Sequence, residues 1–368
     1  RGVGMHRAAL AGLVAVTVLL ASFSGVAVGQ SPGAVQAQAG DPVDCSYPVS
    51  ATDATGEEVT VEDEPERVVV VGPSAAQVMW EIGAQGKVVG MPVGQYTSYL
   101  EGSASKTNVV DSRLQPVRER VVGLEPDLVL APNIVQNDTV ENLRSAGLTV
   151  YRFEAATSFE DVTAKTELTG RLVGEFESAA QVAAQTRATV SAVEEAVADA
   201  ERPRVYYPLG GGFTAGNNTF VNDIIESAGA TNIAADSIEG YKPISSEVVA
   251  EADPQWLLLT GDSPVPSNAA VNGSTAVERD QVIRANANYL NQPGPRTTQV
   301  LRTLAEAFHP DAASQVDFDD VEAAEPTTCG GSDGTTDAET AGSVGPGFTA
   351  GLALVAVVVL GLLARRQR

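Results

Sequence analysis

Residues 158–202 constrain this chain more than any other stretch. They hold no proline, and their apolar residues recur at helical spacing: Phe159, Val162, Leu168, Leu172, Phe176, Ala179, Ala183, Val190, Val193 and Val197. Ser158 stands three residues before Asp161, close to the pattern of a capping box. Gly174 ends a first helix or marks a kink. A second helix is predicted from about Glu175 to Glu201, stopping before Pro203; at 1.5 Å per residue it is roughly 40 Å long. The segments before and after this stretch resemble each other. The spacing therefore predicts a stiff helical bar joining two similar lobes, with a ligand cleft between them.

Strand and helix signals alternate on both sides of the bar. Tyr47–Asp53 and Glu58–Asp63 flank Ala54-Thr55-Gly56 as a hairpin. Buried-strand runs follow at Arg67–Val71, Lys87–Gly90, Asp127–Ala131 and Thr149–Phe153, separated by helices over Ala75–Ile82, Val117–Leu124 and Asn137–Ala146. Ser74 is placed to cap the first of these helices. After the bar, Arg204–Tyr207, Trp256–Leu259 and Val282–Ile283 read as strands, and Phe220–Ala228, Ser245–Ala252 and Arg296–Phe308 as helices. The fold class is α/β, with a parallel sheet in each lobe. The expected organisation is a signal peptide at 1–39, an N-terminal lobe at 43–157, the helical segment at 158–202, a C-terminal lobe at 203–325, a stalk at 326–345 and a terminal segment at 346–368.

The repeat is sharpest around two glutamates. Glu119 lies seven residues before Pro126, and Glu247 lies seven before Pro254. In both copies valines separate Glu from Pro, and a polar residue and an apolar strand follow. Two homologous lobes put these carboxylates on equivalent surface turns.

The net charge of −24 excludes a nucleic-acid footprint, since no basic stripe is present. Only four of the basic residues are Lys, and a Lys-poor acidic surface fits either a high-salt environment or an ordinary acidic secreted protein. His6, Arg7 and the apolar run Ala8–Leu20 have the form of a signal peptide, cut near residues 27–29 or 37–39. At the other end, a Gly/Ser/Thr/acid stalk leads to Pro346-Gly347-Phe348, an apolar run and terminal arginines. This tail resembles the Pro-Gly-Phe sorting signal of archaeal surface proteins, which implies protease processing and a lipid anchor; a plain C-terminal membrane helix is the alternative. Both tether the chain outside. Cys45 and Cys329 are the only cysteines, and outside the cell an even pair favours a disulfide; a lipid on Cys45 is the weaker competitor.

Catalytic chemistry is poorly supplied. His6 and His309 are the only histidines, so His-based metal sites and Ser-His-Asp triads lack residues, and no cofactor motif is complete. Gly210–Ala215 loosely follows a dinucleotide fingerprint but reads better as a rim loop carrying Phe213.

Two α/β lobes, a rigid helix and export together resemble the substrate-binding proteins of ABC importers, in the class that takes vitamin B12, ferric siderophores or haem. The carriers are Arg67–Ser74, Glu119–Leu130, Phe213-Thr214-Ala215-Gly216 and Ser245-Ser246-Glu247. The resemblance implies a metal-chelate ligand, no catalytic residue, no cofactor and a monomer. It also implies that Glu119 and Glu247 pair with arginines of a two-subunit permease that works with ATPase subunits. Its ligand-contact positions correspond to Pro73, Ser74, Tyr96, Phe213, Thr214, Tyr241 and Tyr289. Vitamin B12 binders carry an acid and an Arg near the last helix; the matching stretch here is Asn288-Tyr289-Leu290-Asn291-Gln292. The Arg cluster expected for a strongly anionic siderophore is not evident, and Arg113 is a candidate to contribute to one. The rival readings are a zinc or manganese binder, which needs clustered His and carboxylates, and a surface enzyme, for which Glu154 and Asp262 are the loose candidates.

Overall fold

The computed structural model describes residues 44–318, 320–326, 328 and 329. The expected signal peptide and most of the expected stalk lie outside the described residues, as do Pro346, Gly347 and Phe348. An antiparallel hairpin, β1 (Val49–Thr52) and β2 (Glu58–Val61), opens the chain. The N-terminal lobe continues through β3 (Val68–Val70), α1 (Pro73–Glu81), β4 (Val88–Met91), β5 (Thr107–Asn108), α2 (Arg118–Val122), β6 (Leu128–Ala131), α3 (Asn137–Arg144) and β7 (Val150–Arg152). The helical segment is α4 (Phe159–Val173) and α5 (Phe176–Val197). The C-terminal lobe holds β8 (Arg204–Tyr206), β9 (Phe213–Ala215), α6 (Phe220–Ser227), β10 (Thr231–Asn232), β11 (Tyr241–Pro243), α7 (Ser246–Ala252) and β12 (Trp256–Thr260). It ends with α8 (Ala269–Asn272), α9 (Thr275–Glu278), β13 (Val282–Ala285), α10 (Ala287–Leu290), α11 (Thr297–Phe308) and α12 (Pro310–Ala313).

Each lobe is built on a parallel sheet, ordered β5-β4-β3-β6-β7 in the first and β10-β8-β12-β13 in the second. Removing β5 leaves the same order and the same chain path, so the doubling anticipated from the sequence is present in the topology. Strands β3 and β6 are buried along their whole length, as Val-Val-Val and Leu-Val-Leu-Ala require when helices cover both sheet faces. One face of the first sheet packs with α1, Leu172, Val173 and Ala179; the other packs with Val121, Val140 and Leu143. The second sheet repeats this layering.

Ser158 caps α4 as the sequence predicts: its hydroxyl accepts from the Asp161 N–H, and the Asp161 carboxylate accepts from the Ser158 N–H. Gly174 ends α4 in the left-handed conformation (φ 78°), the position that a glycine tolerates. The long linking helix α5 stops at Val197, short of the predicted end, and its 22 residues span about 33 Å. It is not alone. The chain folds back so that α4 and α5 form a hairpin, close enough that a Cβ on Gly170 would collide with Ala179. Arg187 clamps the pair by donating to Glu167 at 2.8 Å. Both helices reach both cores. Phe159, Val162, Val190 and Val193 sit in the core of the C-terminal lobe, while Leu172, Val173 and Ala179 sit in that of the N-terminal lobe.

The first helix of the chain departs from expectation. Pro73, not Ala75, begins α1, and Gly72 is its cap. Proline at the first helical position lacks only an N–H that would have no helical partner there. Ser74 therefore sits inside the first turn and caps nothing. The expected disulfide is formed: Cys45 and Cys329, 284 residues apart, are joined with their Cα atoms 5.5 Å apart. Before reaching it, the chain passes beside α5, where Gln185 donates to the Val321 carbonyl at 3.2 Å.

Asp223 on α6 accepts the Phe159 N–H at 2.8 Å and so helps to hold the start of α4. Burial raises its carboxyl from 3.8 to about 6 against that hydrogen bond, and Glu194, Glu226 and Asp161 add to the rise. A carboxyl raised in this way holds its proton more tightly folded than unfolded, so its contribution is favourable at low pH and is lost as pH climbs through about 4 to 6. Asp223→Asn keeps the acceptor oxygen and removes the charge. It is expected to melt above the wild type at about pH 7, with the difference vanishing below about pH 4, in calorimetric scans across that range.

Candidate ligand cleft and docking surface

Ligands of open α/β sheets gather at the carboxyl ends of the strands. Here the segments after the carboxyl ends of β4 and β13 touch across the lobes. Asn288 donates to the Gln95 carbonyl at 3.3 Å and Gln292 to the Tyr96 carbonyl at 2.9 Å. The Tyr99 hydroxyl donates to Gln292 Oε1 at 2.8 Å and accepts from Gln77 Nε2 at 3.0 Å. Gln77 Oε1 in turn accepts the Arg296 N–H at 3.2 Å. Every polar end in this chain has a partner, as a buried network requires. Arg296 also pairs with Glu81 at 2.5 Å and lies over the Tyr99 ring, 5.3 Å from its centre. Burial pushes the Tyr99 hydroxyl up to about 12, so it keeps its proton and its donor role. A Cβ on Gly294 would strike the end of the Gln77 side chain and displace it from its place in this network.

Four large apolar side chains stand out as exposed among the described residues: Tyr96, Ile134, Phe213 and Tyr241. All four lie on segments that follow the carboxyl ends of β4, β6, β8 and β10. Tyr96 lines a cavity of about 570 Å³ together with Asn108, Asp111 and Arg120. Phe213 and Tyr241 share the small antiparallel ribbon of β9 and β11, which stands apart from the main sheet. Tyr241 is 53% exposed, yet burial by the surrounding protein raises its hydroxyl pKa.

The remaining expected contacts fall elsewhere. Thr214 is fully buried and its hydroxyl donates to the Tyr207 carbonyl at 2.7 Å, so it holds the ribbon and offers nothing to a ligand. Alternation along a strand turns it away from Phe213. Pro73 is buried and Ser74 half-buried at the start of α1. Tyr289 packs edge-on against Tyr99, with ring centres 5.5 Å apart, and belongs to the seam between the lobes. Ile134 was not anticipated; an apolar residue directly after Pro132-Asn133 at the end of a buried strand was the available signal. Among the described residues, no group of three or more His, Cys, Asp or Glu side chains is placed to hold a metal ion. Nor is any helix long and apolar enough to cross a membrane.

Glu119 and Glu247 are exposed, and each is the second residue of its short helix, α2 or α7. Six residues on, Glu125 (φ 45°) and Asp253 (φ 41°) both adopt the left-handed conformation before a proline. The two glutamates thus occupy equivalent positions. The Glu247 carboxyl is held below the usual carboxylate range by hydrogen bonds from its own backbone N–H and from Ser245.

Comparison with known proteins decides the family. The sequence profile described as "Periplasmic binding protein" matches residues 68–303. This chain belongs to the periplasmic binding protein family. A relative from Halobacterium salinarum named "Cobalamin-binding protein" is 43% identical over 321 residues, covering 83% of this chain and 86% of that one. The periplasmic haem-binding protein RhuT from a Roseiflexus species superposes with a TM-score of 0.60 at 27% identity, over 67% of this chain and 99% of that one. An Fe3+-hydroxamate transport protein from Saccharomonospora viridis superposes with a TM-score of 0.59 at 26% identity, over 72% of this chain and 100% of that one.

The seam limits how far the lobes of this family member can part. Glu81→Gln removes the charge facing Arg296 and is expected to cost about 1.5–3 kcal/mol in urea unfolding, the range for a charge-assisted hydrogen bond. The same variant is expected to show a larger radius of gyration in small-angle scattering.

Proposed function

We propose that this chain is the extracytoplasmic substrate-binding protein of an ABC importer, and that it captures a cobalamin-type metal chelate between its lobes. One observation carries the reading: in both lobes the exposed large apolar side chains all lie on segments that follow the carboxyl ends of sheet strands. Flat aromatic faces and an aliphatic wedge suit a large, rigid, partly apolar chelate, which loses little freedom when bound. Tyr96, Ile134, Phe213 and Tyr241 are its proposed contacts. The Halobacterium relative's name supports cobalamin over a siderophore or haem. The stretch where vitamin B12 binders carry an acid and an Arg is used differently here: Asn288, Tyr289 and Gln292 join the lobes instead.

Glu119 and Glu247 are the proposed docking points for a permease dimer with its ATPase subunits. Two isolated surface ion pairs contribute little affinity each; a matched pair fixes orientation on a two-fold partner. Export through the N-terminal signal and tethering through the tail at Pro346-Gly347-Phe348 complete the reading, which assigns the chain no catalytic role.

Isothermal titration with cyanocobalamin, haemin and a ferric hydroxamate tests the ligand. Saturable binding strongest for cyanocobalamin is expected; zinc binding with no response to any chelate would overturn the proposal. Phe213→Ala and Tyr241→Ala are each expected to weaken cyanocobalamin binding about tenfold, one aromatic contact's worth. Glu119→Ala combined with Glu247→Ala is expected to abolish uptake of radiolabelled cyanocobalamin by whole cells while leaving the measured affinity unchanged. A loss of affinity instead would place these glutamates in the cleft.

A further inference from the structure

The two proposed docking helices are too short to hold themselves. Helices of five and seven residues are unstable in isolation and depend on their surroundings. Each buries a single side chain, Val121 in α2 and Val249 in α7. One inward valine fixes a helix's distance from the core but does not by itself fix its tilt and rotation. Arg118 donating to the Asn142 carbonyl helps in α2, and Thr275 donating to the Asp253 carboxylate helps at the exit of α7, but these holds differ between the lobes.

The same device supplies the rest in both lobes. Arg67, directly before β3, donates through Nη2 to the Leu124 carbonyl at 2.6 Å and through Nε to the Leu124 and Glu125 carbonyls at 3.2 Å. Arg204, the first residue of β8, donates through Nε to the Ala252 carbonyl at 2.6 Å and to the Asp253 carbonyl at 3.1 Å. Its Nη2 reaches the Asp253 carbonyl at 2.8 Å. Leu124 and Ala252 each lie five residues beyond their glutamate, so the carbonyls gripped are equivalent. The arginines are themselves aligned in the same way. Asp127 Oδ2 accepts the Arg67 N–H at 2.8 Å, and Gln255 Oε1 accepts the Arg204 N–H at 3.0 Å; each acceptor follows its proline. Arg120 adds a contact to the Val110 carbonyl in the first lobe alone; only the Arg67 and Arg204 contacts recur.

We propose that Arg67 and Arg204 are positioning residues for permease docking: each ties the exit of a docking helix to the central strand of its sheet, and so aims Glu119 and Glu247. This rests on the docking role proposed above. A guanidinium fork suits the task because it binds two successive carbonyls in one plane, which an ammonium cannot do. The device also transmits rigidity. β3 and β8 are central strands, so each carboxylate is referenced to its sheet and, through the α4–α5 hairpin, to the other carboxylate.

The test uses the full chain carrying Arg67→Gln, Arg204→Gln or both. Binding to the detergent-solubilised permease–ATPase complex of the same cell is measured alongside amide hydrogen exchange and melting temperature. Each single variant is expected to weaken binding about threefold and the pair about tenfold, as lost charge-assisted hydrogen bonds imply. Exchange is expected to quicken in residues 118–124 and 246–252, with melting shifted by only a few degrees. In a Glu119→Ala, Glu247→Ala background the arginine substitutions are expected to add nothing, since they act through those glutamates. Unchanged exchange in both segments, a full additive loss in that background, or global destabilisation matching the binding loss would each overturn the inference. If the arginine variants bind like the wild type while the glutamate variants do not, this inference alone falls. If the glutamate variants bind like the wild type, the docking role falls and takes the inference with it.

Discussion

The burial of one helical hairpin in two separate cores is the constraint on which the molecule depends. Neither α4 nor α5 belongs to one lobe. Each has apolar residues committed at both ends, and each fully buried Phe, Val or Leu contributes about 1.5–3 kcal/mol relative to exposure. Sliding or rotating the hairpin against either lobe would uncover several such residues at once. The close approach at Gly170 and the Arg187–Glu167 pair stop the two helices from separating independently. Relative motion of the lobes is then left to bending of this element and to the seam opposite, where Gln77, Tyr99, Gln292, Arg296 and Glu81 bridge the gap. A binding protein of this build works with small changes of angle.

Doubling gives the fold its second property, a surface with matched features. The same strand order, the same left-handed residue before proline, the same single valine and the same arginine grip occur twice. Such agreement, down to which carbonyl each guanidinium reaches, places two carboxylates in equivalent frames. The interior of each lobe repeats less faithfully than this surface. The second lobe carries an extra ribbon, β9 with β11, and the first carries an extra edge strand, β5.

Most of the regular elements were legible because their causes are local. The capping box at Ser158, the glycine stop at Gly174 and the buried runs of β3 and β6 need no distant partner to be recognised. So does the Glu119/Glu247 spacing, which is a repeat in the text itself. What escaped the sequence depends on long-range contact. The ribbon of β9 and β11 is six residues paired across a long loop, with no alternation long enough to read. The double membership of α4 depends on a fold-back that periodicity cannot show. The aromatic contacts were half legible: a loop tyrosine or phenylalanine is visible in a sequence, but whether it faces a cleft or a neighbouring lobe is not. Hence Phe213 and Tyr241 are open, Tyr289 is taken up by Tyr99, and Ile134 emerged only from its exposure.

The bond between Cys45 and Cys329 makes nearly the whole described chain a covalent ring. Any single cut within that ring, in a rim loop for instance, converts one chain into two pieces that stay joined through the disulfide. Closing so long a loop also removes many of the open conformations available to the unfolded chain, a gain that grows slowly with ring size. A fragment is therefore released only after a second cut, and an opened loop can settle back onto lobes that stay covalently joined.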